Sequence, residues 1–156
     1  MVSIKNQIGQ SIVEALIALS AGVTIIAAIA IAVINSISNA DYAKNQNLAT
    51  NYAQQGMEIV NVLQKSNWNT FVTLSGTYCL DKESTNLSSA IECDKNVDEF
   101  VRTVLITKNT ADCTTGSRVN VKVAWEDGKC KDEDNPYCHD VELISCIEGI
   151  HVIPSP

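Results

Sequence analysis

Between Glu14 and Asp41 the chain has no charged residue, and from Ile12 to Ile34 the only strongly polar side chain is Glu14, with Ser20 and Thr24 as mild interruptions. That gap excludes an ordinary solvent-facing helix there, because the run is long enough to span a bilayer, which takes about 20 residues. Past Ile34 neither proline nor glycine occurs before Gly56, so nothing forces a helix to stop. Cysteine is missing from this half, and all six cysteines lie between Cys79 and Cys146. They include no Cys-x-x-Cys pair, and the adjacency of Cys138 and His139 does not give zinc-finger spacing. Gly-x-Ser-x-Gly, a phosphate loop and a dinucleotide fingerprint are also missing, so nothing points to an enzyme or to a cofactor. Positive charge is scarce: 11 Lys and Arg face 18 Asp and Glu, a net charge of −7. An acidic chain is a poor match to DNA phosphates, and no nucleic-acid partner is expected.

What is present begins with the placement of Glu14. A carboxylate at the centre of a membrane helix costs roughly 2.5–3.5 kcal/mol on insertion scales, and less near an interface. An ordinary secretory signal runs from basic residues through an apolar core of about 7–15 residues to a small-residue cleavage site. Here the order is reversed. A polar leader, residues 1–9 with Lys5 as its one charge, ends in a small residue before the apolar segment starts. Cleavage after Gly9 would keep the apolar helix in the mature chain, with Gln10 first and Glu14 fifth. The alternatives are a plain single-pass anchor and a removable signal ending at Ser38-Asn39-Ala40.

This arrangement resembles the prepilin signature of type IV pilins and type II secretion pseudopilins. The resemblance implies cleavage after Gly9 by a prepilin peptidase, N-methylation of Gln10, and a role for Glu14 in assembly. Gln10 departs from the commoner Phe, and a free N-terminal Gln can cyclise and lose its charge. In an apolar bundle the charged terminus of one subunit would be drawn to Glu14 of a neighbour or to its own, an attraction strengthened by low dielectric. The implied partners are identical or related pilin subunits, the peptidase, and an inner-membrane assembly platform with its ATPase. The membrane holds the subunit before assembly, and the cell-surface filament afterwards.

Beyond the apolar run, Ala49, Tyr52, Ala53, Gly56, Val60 and Leu63 recur every three or four residues, one face of an amphipathic helix. A helix from Gln10 to about Lys65 would be roughly 80–85 Å long at 1.5 Å per residue. The expected organisation is a leader (1–9), an apolar half-helix (10–34), an amphipathic half-helix (35–66) and an extracytoplasmic β head (67–156). In the head, Phe100 to Thr107, Val119 to Glu126 and Val141 to Ile147 predict strands, the second by clean alternation of Val119, Val121, Val123 and Trp125 with polar or small residues. The fold class expected is α+β: one long N-terminal helix packed on a small antiparallel sheet with disulfides. The last two strands and their polar loop are similar, more weakly, to the terminal hairpin of I-type minor pseudopilins and related minor pilins.

Cysteines confined to the head match folding in an oxidising compartment. If the last two strands pair antiparallel, Cys130 and Cys138 meet at the loop end and Cys146 returns toward Cys113, leaving Cys79 with Cys93. The acidic loop offers Asp132 and Asp134 as oxygen ligands for calcium, without EF-hand spacing. A structural pilin subunit is the expected function, with a minor pilin or pseudopilin that primes or tips a filament as runner-up. A membrane-tethered binding module that never polymerises is the reading from another class. A disulfide that closes a short loop, as Cys79 with Cys93 or Cys130 with Cys138 would, contributes about 3 kcal/mol in the chain-entropy model. Reduction is therefore expected to broaden the near-ultraviolet dichroism of the head while far-ultraviolet helicity is retained.

Overall fold

The computed structural model describes residues 7–126 and 138–148, with side chains from Ile12 onward. The chain divides into two units, Met1–Ala43 and Lys44–Pro156. One helix, α1 (Gln7–Ser66), contributes to both. It is described from Gln7, three residues before Gln10, and runs unbroken through the predicted apolar and amphipathic halves. It ends where Asn67 takes a non-helical conformation and caps a single-turn helix, α2 (Trp68–Phe71), its side chain accepting from the Thr70 N–H at 3.1 Å.

In the second unit five strands form one antiparallel sheet: β1 (Gly76–Cys79), β2 (Ser88–Ser89), β3 (Val101–Thr110), β4 (Cys113–Glu126) and β5 (Cys138–Glu148), in the order β2-β1-β3-β4-β5. The α+β class with a long N-terminal helix is thus as expected. The three predicted strands are β3, β4 and β5, and the last two pair as anticipated, with Val121 opposite Leu143 and Val123 opposite Val141. The differences lie at the ends and at one edge. β4 starts at Cys113, six residues before the alternation becomes clean, because Thr110 pairs with Cys113 across a tight connection. β1 and β2 are too short for a periodicity to be read, and exist by pairing with β3 and with each other.

The core lies between the second half of α1 and one face of the sheet. Ala49, Ala53 and Val60 of the helix are fully buried with Val104, Ile106, Val119, Val121 and Val123. The predicted packing face is the observed one, with Tyr52 and Leu63 half-buried at its margins. Phe100 and Trp125 extend it, their rings 6.0 Å apart, and Tyr52 meets Phe100 edge-on at 5.4 Å. Gly56 sets the closest approach: a Cβ there would stand 2.9 Å from Cγ1 of Val121 and 3.2 Å from Cδ of Arg102.

Arg102 is the exception in this apolar layer. It is completely buried, in phase with Phe100, Val104 and Ile106 on the inward face of β3. Its guanidinium donates to three backbone carbonyls: Nε to Leu80 at 2.9 Å, Nη2 to Asp81 at 2.7 Å, and Nη1 to Tyr52 of α1 at 3.1 Å. The backbone on either side is fixed by Asn96, whose amide accepts from the Arg102 N–H at 2.7 Å and donates to its carbonyl at 2.9 Å. In a helix the side chain at i+4 leans back over the carbonyl at i. Tyr52 is four residues before Gly56, so the missing side chain leaves that carbonyl open. Arg102→Met should therefore cost about 2–4 kcal/mol, because the carbonyls of Leu80 and Asp81 lose buried donors. Gly56→Leu should cost about as much through overpacking against Val121. Urea unfolding of the detergent-solubilised full chain, followed by Trp fluorescence, measures both.

Candidate functional site

The first unit is a helix that presents apolar side chains on every side. From Ile12 to Ile37 its large residues are 51–69% exposed, Ile26 and Leu19 among the most. A helix that is apolar all round belongs in a core or a bilayer, and by length and composition α1 can cross a membrane. The two mild polar interruptions are absorbed within the helix. Ser20 Oγ donates to the Ile17 carbonyl and Thr24 Oγ1 to the Ala21 carbonyl, each at 2.8 Å. Hydroxyls bonded back to their own helix carry little of the cost of a polar group in hydrocarbon.

Glu14 has no such internal solution. It is exposed, and among the described residues no cation pairs with it. Gly9 and Gln10 lie on the first turns of α1, and Gln10 precedes Glu14 by four residues, one helical turn. The three residues singled out at the N-terminus thus follow one another along a single helix.

The other singled-out residues lie in the sheet unit. Cys79 is bonded to Cys93 and Cys113 to Cys146, each pair with Cα atoms 5.6 Å apart. The first bond closes the loop after β1, and the second joins the start of β4 to β5. Cys138 opens β5 opposite Glu126, while its expected partner Cys130 lies outside the described residues, as do Asp132 and Asp134. Among the described residues no group of three or more His, Cys, Asp or Glu is arranged to hold a metal ion.

Two features escaped the sequence reading. Arg102 is one, although its inward phase in β3 was visible from Phe100, Val104 and Ile106. Burial pushes its guanidinium below its ordinary value, with Asp81 opposing that shift. The other is a polar clasp on α1. Tyr52 Oη donates to Asp98 Oδ2 at 2.7 Å, and Lys82 Nζ reaches the same carboxylate at 2.7 and 2.9 Å. Asp98 sits at a φ of 54° in the tight turn Val97–Phe100, a conformation that Asp tolerates better than most residues. No signal in the sequence links positions 52, 82 and 98.

The bonds from Lys82 and then Tyr52 hold the Asp98 carboxyl below its ordinary value. A depressed carboxyl contributes stability that is fully present above its unfolded pKa, about 3.9, and is lost as pH falls through the lower folded value. The clasp should therefore weaken only below about pH 4. Urea midpoints measured against pH should fall there in the parent and fall less in Asp98→Asn.

No protein-family model, curated protein or solved structure matches this chain.

Proposed function

We propose that the chain is a structural subunit of a type IV pilus or related filament, processed at Gly9 and polymerised through its N-terminal helix. The observation that carries this reading is α1 itself. One unbroken helix presents a fully exposed apolar half with a single acidic residue near its start, then becomes the packing face of a disulfide-bonded sheet unit. A simple anchor has no use for Glu14, whose charge raises the cost of membrane residence. A subunit that must leave the bilayer and enter a bundle has one, since Glu14 can meet the amino terminus created at Gln10 on a neighbour. Pairing of these opposite charges between subunits also favours one register along the bundle.

The test is the intact mass and N-terminal sequence of the mature chain, together with Glu14→Ala. The filament reading expects a start at Gln10, and at least a tenfold loss of Glu14→Ala subunits from sheared filaments with unchanged membrane levels. A start at Met1 with unaltered display of Glu14→Ala identifies a tethered module, and a start at Asp41 identifies a removed signal. A correct start with only trace abundance in sheared filaments identifies a minor, priming subunit.

A further inference from the structure

The loop closed by Cys79–Cys93 carries the triplet Asn86-Leu87-Ser88, which runs into β2 and to which the filament reading gives no role. We propose that Asn86 is a site of N-linked glycosylation, a reading that rests on the extracytoplasmic placement of the sheet unit proposed above. An Asn-x-Ser triplet without an intervening proline is the acceptor pattern for transfer of a saccharide to the Asn amide. The triplet alone is a frequent accident, and its setting is what carries the proposal.

Five observations place it. Leu87 turns inward and packs against the core, while Asn86 and Ser88 on either side are exposed, so the acceptor amide and the hydroxyl share one outward face. The backbone is preset: Ser84 Oγ accepts from the Asn86 N–H at 3.1 Å and donates to the Asn86 carbonyl at 3.0 Å. Ser88 is held extended by pairing with Cys79. β2 is the edge of the sheet, which leaves its far side open to a transferring enzyme. Among the described residues the Asn86 side-chain amide makes no hydrogen bond.

There is also room for the product. Asn86 and Thr85 border a groove of about 690 Å³ along α1, lined by Glu58, Asn61, Val62 and Lys65. Val62 is 62% exposed there. An apolar side chain flanked by an amide, a carboxylate and an ammonium suits a sugar, which offers both C–H faces and hydroxyls. The co-reactant would be an oligosaccharide carried on a polyprenyl diphosphate. The Asn86 nitrogen bonds to the anomeric carbon, the bond from that carbon to the diphosphate oxygen breaks, and the diphosphate leaves with the electron pair. The amide loses one proton to the medium. No oxidant or reductant is involved.

The test uses the full chain isolated from the envelope of its own cells. Peptide mapping should find a saccharide mass on the peptide that contains Asn86, with release by an amide-cleaving glycosidase leaving aspartate at position 86. The increment should vanish in Asn86→Gln and Ser88→Ala and persist in Ser88→Thr, with both mapped disulfides intact in each variant. A bare Asn86 in the parent, or a saccharide on Ser84, Thr85 or Ser88 instead, overturns the proposal. The parent's map decides even where a variant fails to fold. A mature start at Gln10 with a bare Asn86 sinks this proposal alone, and a glycosylated chain with another start sinks the filament reading alone.

Discussion

A guanidinium held out of water on backbone carbonyls is the constraint on which the sheet unit depends. Taking such a charge from solvent costs several kcal/mol unless its donors are all met. Arg102 directs one bond from each of its three nitrogens to a carbonyl, two in the segment after β1, at Leu80 and Asp81, and one in the second half of α1, at Tyr52. Those carbonyls must stand at fixed positions relative to β3, which sets how helix, central strand and edge segment assemble. Asn96 holds the backbone of Arg102 from a third segment. An apolar residue would fill the same space with less risk, but would leave the carbonyls of Leu80 and Asp81 without these donors. Gly56 belongs to the same arrangement, since its missing side chain admits both Val121 and the arginine stem.

The long helix was legible because its evidence is local. An apolar run without proline and a three-four spacing from Ala49 to Leu63 are read directly from neighbouring residues, and they fix the face that Ala49, Ala53 and Val60 bury. β4 was legible for the same reason. The antiparallel pairing of β4 with β5 brought Cys113 and Cys146 together as expected. β1, β2 and the clasp of Tyr52, Lys82 and Asp98 were hidden, because they arise from pairings between segments far apart in sequence. Arg102 stands between these cases. Its phase in β3 announced burial, but nothing local revealed the carbonyls that make burial tolerable. At the N-terminus, Glu14 is informative through what surrounds it, and the structure adds that Ser20 and Thr24 are internally bonded, which leaves Glu14 as the distinctive polar group of that stretch.

The two halves of α1 obey opposite rules within one secondary structure. From Ile12 to Ile37 the helix exposes its large apolar residues, whereas from Ala49 onward it buries small ones, Ala49, Ala53 and Gly56, under a sheet. Small residues in the second half let β4 approach closely. Large ones in the first half suit a surrounding of lipid or other helices. The change occurs within one continuous helix, so the backbone is kept regular while the character of the side chains changes.

Covalent cross-linking stops short of this helix. Both described disulfides tie strands and loops of the sheet unit to each other, and α1 contains no cysteine. Force applied along α1 would therefore reach the sheet through the peptide chain that leaves Ser66 and through non-covalent contacts: side-chain packing, the Tyr52 clasp, the bond from Arg102 to the Tyr52 carbonyl and one from Gln64 to the Glu148 carbonyl. Those non-covalent contacts would yield before Cys79–Cys93 and Cys113–Cys146, the covalent ties within the sheet unit.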